Sequence, residues 1–274
     1  MLRACDGNSM FYDFLFDPFK RRNIAVLAKR EIKSRIVGTL LGRFHFILFP
    51  VLMLLIYTFI FSVVFAIRWQ GTEGGFGSFA LRMFSGLILF QFFSEVITRA
   101  PGLVLENPSY VKKVMFPLET LVPLAIVVSL FSATISYGVL LIGYALLEGP
   151  PPLEAMWITV LWPPLILITA GLAWMIAGFG VYLRDLRQIM PILTSVLMFL
   201  SPIFYPLSMV PQPYNLLIAL NPLSLLIETM RNALFDATKP TLLLVVGYYF
   251  VAVVIAQAGY WIFMRVRTGF ADVV

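Results

Sequence analysis

Residues 44–67 read FHFILFPVLMLLIYTFIFSVVFAI. None of these twenty-four positions is Asp, Glu, Lys or Arg. About 20 mostly apolar residues are enough for a helix to cross the hydrocarbon of a bilayer, so this stretch predicts a transmembrane helix. Five further stretches of the same character follow, at 80–105, 118–147, 155–183, 189–207 and 242–264. The second is interrupted by Arg82, Glu95 and Arg99; the third opens with Glu119; the fourth is long enough to tilt. The pattern predicts an all-α polytopic membrane protein with six transmembrane helices.

Composition agrees with that reading outside the spans as well. The chain has 274 residues, of which 60% are hydrophobic and 12% charged, and its mean hydropathy is +0.92. A soluble domain carries about 25% charged residues, so a water-exposed globule of this size would lack the charge to cover its surface. Disorder is excluded by the apolar content, and a disulfide scaffold by Cys5 being the only cysteine. No signal peptide is expected, since residues 1–18 hold Asp6, Asp13 and Asp17 and no clean apolar stretch before a small-residue cleavage site.

The net charge is +6, and its placement argues for a membrane surface rather than nucleic acid. Nine of the twenty basic residues lie before position 44. With the N-terminus inside, the inner segments 1–43, 106–117, 184–188 and 265–274 hold fifteen Lys and Arg, and the outer segments 68–79, 148–154 and 208–241 hold three. That bias follows the positive-inside rule and predicts both termini in the cytoplasm. It also opposes a seventh span at 216–235, which would put Arg265 and Arg267 outside. Region 208–241 is therefore expected to hold two short re-entrant helices, broken at Asn221-Pro222 and carrying Glu228 and Arg231. Broken backbone at that depth is tolerated only when buried in protein or facing water. The expected organisation is a cytoplasmic N-terminus over 1–43, a transmembrane domain over 44–264 and a cytoplasmic tail over 265–274.

Within the N-terminus, Ile24, Leu27, Ala28, Ile32 and Ile36 recur at helical spacing, with Lys29, Arg30, Lys33 and Arg35 between them. This predicts a basic amphipathic helix over 23–43, lying in the interface. It serves either as a surface anchor or as a docking element, and the two roles are compatible. The outer connections are short, Gly-rich at 68–79 and Pro-rich at 148–154, and neither has room for a domain. The sequence contains no G-x-x-x-x-G-K-[ST], so no Walker-type nucleotide loop is expected. It has no H-E-x-x-H and no Cys/His cluster, so no metal site is expected. The lone His45 stands at the start of the first span, where an interfacial polar tip competes with a proton-relay role.

Residues 105–117 read LENPSYVKKVMFP. Asn107-Pro108 starts a turn or helix, and Phe116-Pro117 ends it. Between them Tyr110, Val111, Val114 and Met115 offer an apolar face opposite Lys112 and Lys113. Such a segment either plugs into a cleft on a soluble partner or simply holds orientation.

This loop resembles the N-x-x-x-V-K-K-x-x-F-P segment of ABC transporter permeases of the polysaccharide-export class. The resemblance extends to Leu41-Gly42, Pro50 and Tyr57 to Phe61, to Ser201-Pro202-Ile203-Phe204-Tyr205-Pro206, to Asn221-Pro222-Leu223 with Glu228 and Arg231, and to the closing Gly269 to Val273. It implies a permease subunit, not an enzyme, that exports a cell-surface polysaccharide such as O-antigen across a bacterial inner membrane. The polymer would be lipid-linked on a polyprenyl carrier. It further implies a second copy of the chain and two copies of a separate ATPase, with ATP and Mg on that partner and no cofactor on this chain. The coupling role then falls on Glu106, Asn107, Tyr110, Lys112, Lys113, Val114, Phe116 and Pro117, with Arg184, Asp185 and Arg187 as the other inner contact. Asp185 either pairs locally with a neighbouring arginine or takes part in docking. The interface-helix role falls on Lys29, Arg30, Lys33 and Arg35. A competing class is a membrane enzyme or assembly factor acting on lipid-linked sugars without transport.

Charges inside a span cost roughly 2.5–3.5 kcal/mol each at a helix centre. Glu95 and Arg99 stand i, i+4 and are expected to pair with each other; Glu228 and Arg231 stand i, i+3. Each pair either positions a helix or lines a wet conduit. Phe90, Phe92, Phe93, Phe199, Phe204, Tyr205 and Tyr249 are candidates for a sugar-binding path, against the alternative of lipid-facing or interfacial rings.

The charge bias yields a direct test. In a Cys5→Ser background, cysteines at Ser78 and Pro151 should react with an impermeant thiol reagent from outside, and those at Ser109 and Thr268 only after permeabilisation. External labelling at Thr268 would overturn the assignment of 208–241.

Overall fold

Runs of apolar residues without a strand-like alternation leave the backbone one economical solution in lipid, in which each segment satisfies its own N–H and C=O groups. The computed structural model describes residues 17–37, 44–64, 77–108, 116–212, 214–219 and 221–272, and among them the regular structure is entirely helical. In chain order the α-helices are α1 (Pro18–Val37), α2 (Phe44–Tyr57), α3 (Ser78–Arg99), α4 (Leu121–Leu147), α5 (Trp157–Gly180), α6 (Leu186–Phe199), α7 (Tyr214–Ala219), α8 (Pro222–Phe235) and α9 (Leu242–Val266).

Among the described residues, four helical stretches are long and apolar enough to cross a bilayer: Ser78–Gly102, Leu118–Leu147, Leu153–Gly180 and Leu242–Phe270. Two shorter apolar helices, Phe46–Phe61 and Leu186–Phe199, accompany them. These correspond to the first and fifth of the six expected spans. The fifth, expected over 189–207, begins earlier and stops at Phe199. Pro202 and Pro206 follow within seven residues, and the residue before a proline is pushed away from helical dihedrals. In the first, α2 passes at Tyr57 into wider π-type turns over Thr58–Val64, and residues 65–67 lie outside the described residues. At Pro101 a tight 3-10 turn over Ala100–Gly102 closes α3.

Helix α3 is the centre of the molecule. About 78% of its apolar window is enclosed by protein, against 33% for the α4 stretch and 28% for the α9 stretch. Gly77, with φ at +90°, turns the chain into α3 through a conformation that favours glycine. Leu81, Met83, Phe92 and Val96 are wholly enclosed. Ser78, expected as an outer labelling site, is also buried at the start of α3, so Pro151 is the better reporter of that side.

In lipid the hydrophobic effect does not pull helices together, and close packing of small residues takes its place. Helices α5 and α9 meet in this way. A Cβ at Gly171 would collide with the backbone of Ile255, and one at Gly259 with the backbone of Gly171 itself. Ala252 and Ala256, fully buried, extend the same face of α9. Trp174, one turn along α5 from Gly171, packs edge-on against Tyr260 at 5.3 Å between ring centroids. Helix α8 is set by its first residues: the Asn221 side chain accepts from the Leu223 N–H at 3.0 Å, and Pro222 takes the first helical position, where no donor is needed.

The α5–α9 crossing yields a test. Gly259→Leu should cost about 3 kcal/mol or more by overpacking, seen as loss of monodisperse protein in fluorescence-detected size exclusion. Gly247→Ala, on the same helix but with open space around it, should be neutral.

Candidate functional site

Helix α1 runs over 18–37 rather than the expected 23–43, and residues 38–43 lie outside the described residues. Its side chains divide only in part as a surface helix requires, since Phe19 and Val26 are exposed among the basic residues. Ala28 is buried and Ile24 packs against the core, while Lys29, Arg30 and Lys33 are exposed. Arg35 departs from the expected basic face, because it turns inward toward the bundle.

Its partner there corrects an expectation. Glu95 and Arg99 do not form the i, i+4 pair. Arg35 Nη1 donates to Glu95 Oε1 at 2.8 Å, and Arg99 Nη2 donates to Glu31 Oε1 at 2.7 Å. Glu31 and Arg35 are themselves i, i+4 at 3.6 Å. Two acids and two bases thus alternate across the α1–α3 contact, each with its opposite within reach, and all are a little less than one-third exposed. A cross-helix partner at full hydrogen-bond distance satisfies each charge better than the helix-surface spacing within α3, and this is why the local pair loses. Glu31 was not anticipated, yet it is the only acid in the sequence of α1 and stands one turn before Arg35.

A second tie lies at the start of the α4 stretch. Glu119 is 3% exposed at its side chain and accepts from Lys20 Nζ at 2.8 Å and Arg267 Nη1 at 2.6 Å. The indole N–H of Trp174 donates to the Glu119 carbonyl at 3.0 Å. One carboxylate therefore joins α1, the 3-10 turn at Leu118–Thr120, and the 3-10 turn that follows α9. Partial burial alone would lower the Lys20 pKa, but the hydrogen bond and charge of Glu119 outweigh it and hold the ammonium above its ordinary 10.5. Its contribution is thus complete below pH 10.5 and is lost only as pH rises through the raised value.

The inner-contact residues are placed as follows. Glu106 pairs with Arg187, joining the turn after α3 to the start of α6, so one of the two arginines near Asp185 has its partner in the other loop. Arg184 and Asp185 are exposed. Asn107 donates to the Leu103 carbonyl at 2.9 Å, and Phe116 packs against the core. Tyr110, Lys112, Lys113 and Val114 lie outside the described residues. A cavity of about 290 Å³ opens between α1 and this turn, with Arg30, Ser34, Leu103 and Asn107 in its wall.

At the other end of α3, two arginines are almost wholly buried. Arg82 Nη2 donates to Asp236 Oδ1 at 3.0 Å, with its guanidinium 4.6 Å from the centre of the Phe235 ring. Arg231 Nε donates to the Arg82 carbonyl at 3.0 Å and Nη2 to the Ile203 carbonyl at 2.6 Å. Glu228 sits 3.7 Å from Arg231 Nη1 and accepts from the Leu207 N–H at 3.1 Å. The expected i, i+3 pair is therefore present, but it is part of a larger clamp that holds the 201–207 turn and α8 against α3. Arg82, Lys20, Arg267, Glu119 and Asp236, like Glu31, were given no site role by sequence reasoning. For Arg82, Glu119 and Arg267 the signal was a charge at or near the end of an apolar run; Lys20 carried none.

The aromatic candidates separate into two groups. Phe90, Phe92 and Phe93 are buried inside the helix core, with Phe92 edge-on to Trp162; within this chain they face neighbouring helices. Phe199 is exposed, stacks on Phe204 at 5.9 Å, and its carbonyl accepts from the Tyr205 hydroxyl at 2.9 Å. These three form one aromatic cluster after α6. Tyr249 donates to the Val160 carbonyl at 2.7 Å. Among the described residues, no group of three or more His, Cys, Asp or Glu side chains is placed to hold a metal ion.

The cross-helix network yields a charge-exchange test. Arg99→Glu or Glu31→Arg alone should lower membrane yield, each losing about 1 kcal/mol and adding repulsion, and the double exchange should restore it in part, since it re-forms the cross-helix pair but sets like charges i, i+4 on both helices. The pair Glu95→Gln with Arg99→Gln should recover only in part, because both cross-helix hydrogen bonds are lost and Arg35 and Glu31 keep only their own pair at 3.6 Å.

The family model for ABC-2 type transporters matches residues 22–235. The O-antigen export system permease protein RfbA of Myxococcus xanthus is 28% identical over 253 residues, which cover 90% of this chain and 93% of that one. RfbA of Klebsiella pneumoniae is 23% identical over 254 residues, 91% and 94% of the two chains. The polysialic acid transport protein KpsM of Escherichia coli is 26% identical over 211 residues, 77% and 80%.

Proposed function

We propose that this chain, which belongs to the ABC-2 type transporter family, is the membrane-spanning permease subunit of an ATP-driven exporter of cell-surface polysaccharide. The observation that carries the reading is the similarity to O-antigen export permeases over nine-tenths of both chains. In this reading two copies form the conduit, two copies of a separate ATPase bind at the α1 end, and the polymer is O-antigen-like and attached to a polyprenyl lipid. The chain lies in a bacterial inner membrane with six spans, both termini cytoplasmic, and α7 and α8 re-entrant from outside.

The geometry supports a mechanical role at the α1 end. The turn after α3 carries Glu106 and Asn107 and leads into the segment through Pro117. Glu106 is tied to Arg187 at the start of α6, and α1 is tied to α3 through Arg35–Glu95 and Arg99–Glu31. A displacement imposed there by an ATPase reaches three helices through short, charge-assisted contacts. Exposed Lys29, Arg30, Lys33 and Arg184 give that surface a basic character, suited to acidic phospholipid and to an acidic rim on a partner. At the far end the Phe199, Phe204 and Tyr205 cluster offers rings of the kind on which sugar C–H edges pack while their hydroxyls stay wet.

Deleting the gene should abolish surface polymer while the polymer accumulates inside, and the chain should co-purify with an ATPase whose hydrolysis the polymer stimulates. Tyr110→Ala with Val114→Ala should lower ATPase co-purification about tenfold, the loss of roughly 1.4 kcal/mol, with unchanged membrane level. Normal surface polymer in the deletion strain would overturn the export reading, and normal complex yield in the double variant would overturn the docking role of the 106–117 segment.

A further inference from the structure

A second cavity of about 290 Å³ lies between α1, α2, α3 and α4, away from the turn after α3. Its walls are of two kinds. Phe46, Phe49 and Phe92 supply aromatic surface, and Gln91, Glu95 and Ser129 supply polar groups, with Arg35 at one end. Ser129 is the informative residue. It is 1% exposed, and its hydroxyl has no hydrogen-bond partner. On the same helix Thr134 and Ser136 each donate to the carbonyl four residues back. Ser129 does not, and it faces the cavity instead.

The position makes that open hydroxyl costly. Ser129 is eleven residues into the stretch that begins at Leu118, about 16 Å along the helix axis. An unmet polar group in hydrocarbon is expensive, so a ligand atom that accepts or donates there is the economical solution. Gln91 is exposed at its side chain and presents an amide with both a donor and an acceptor. Glu95 gives Oε1 to Arg35, and a carboxylate has further acceptor sites.

Charge decides the class of ligand. The cavity holds one Arg and one Glu already paired at 2.8 Å, and Glu31 stands 3.6 Å from the same Arg35. A phosphate would meet the Glu95 carboxylate and an arginine that Glu95 and, from behind the cavity wall, Glu31 already engage. A neutral polyhydroxylated ring meets none of these penalties. It offers hydroxyls to Ser129, Gln91 and Glu95, and C–H faces to the three phenylalanines. The volume lies at the small end of ligand sites, the scale of one ring rather than a polymer. Taking the export reading above as its basis, we propose that this cavity is a binding subsite for a single neutral glycosyl unit of the exported glycan or glycolipid, with Ser129 as its buried hydrogen-bonding group.

The test uses membranes that hold the full-length chain and two photoreactive probes, a diazirine-bearing dodecyl β-glucoside and the matching dodecyl phosphate, with adducts mapped by mass spectrometry. The glucoside should label peptides covering 44–50 and 129–136, and excess octyl glucoside should compete while octyl phosphate does not. Ser129→Ala should lower this labelling about fivefold at unchanged membrane level. Ala133→Phe, which fills the cavity from α4, should abolish it, and Gly247→Ala should leave it intact. Equal labelling by the phosphate probe, no labelling of the wild type, or full labelling of the Ser129 variant would each overturn the proposal. The two readings fail separately. Loss of surface polymer on gene deletion without glucoside labelling removes the subsite and keeps export, whereas labelling with normal surface polymer in the deletion strain removes export and with it the identity of the glycosyl unit.

Discussion

A charge placed in or beside hydrocarbon must find its opposite within a few ångströms, and in this chain that requirement joins elements far apart in sequence. Glu119 draws Lys20 from the first helix and Arg267 from the last. Glu31 and Arg35 take up Arg99 and Glu95 from the most enclosed helix. Arg82 takes Asp236, and Arg231 takes backbone carbonyls of the 201–207 turn and of α3. None of these ties adds much energy where solvent screens it. Their value is positional: leaving any one partner alone is costlier than the pair itself is stabilising, so the arrangement of helices that pairs them all is strongly preferred.

The apolar packing works beside this. Gly171 and Gly259 bring α5 and α9 into backbone contact, which α-helices in lipid use in place of a hydrophobic driving force. Trp174 then does two things at once, packing on Tyr260 of α9 and donating to the carbonyl of Glu119. The electrostatic tie at Glu119 and the small-residue crossing therefore share one side chain, and the last membrane helix is held from both sides of it.

Much of the architecture was legible in the sequence, because period and length are local properties. The long runs at 118–147 and 242–264 needed only counting, and Asn221-Pro222 marked the start of α8 by the chemistry of a cap. What escaped was non-local. The i, i+4 spacing of Glu95 and Arg99 suggested that they satisfy each other, and nothing along the sequence shows that α1 lies beside them with charges in the complementary order. Phe90 and Phe93 read as equally good as Phe199 or Phe204 for a sugar path, since ring type carries no information about which side of a helix is enclosed. Lys20 and Arg267 lie almost a chain length apart, and only the fold shows that Glu119 stands between them.

The clamps at the two ends of α3 belong to one rigid element. Arg82 near its start is fixed to Asp236 and to Arg231 of α8, and Glu95 and Arg99 near its end are fixed to α1. Thirteen residues separate Arg82 from Glu95, about 20 Å of continuous helix. A helix of that length, enclosed on most sides, bends little. In the export reading α3 is a drive shaft rather than two latches, along which a rotation or shift of α1 against the bundle reaches the turn carrying Ile203 and α8. Opening on one face and opening on the other then become, in that reading, a single degree of freedom, trading independent gating for transmission without slack.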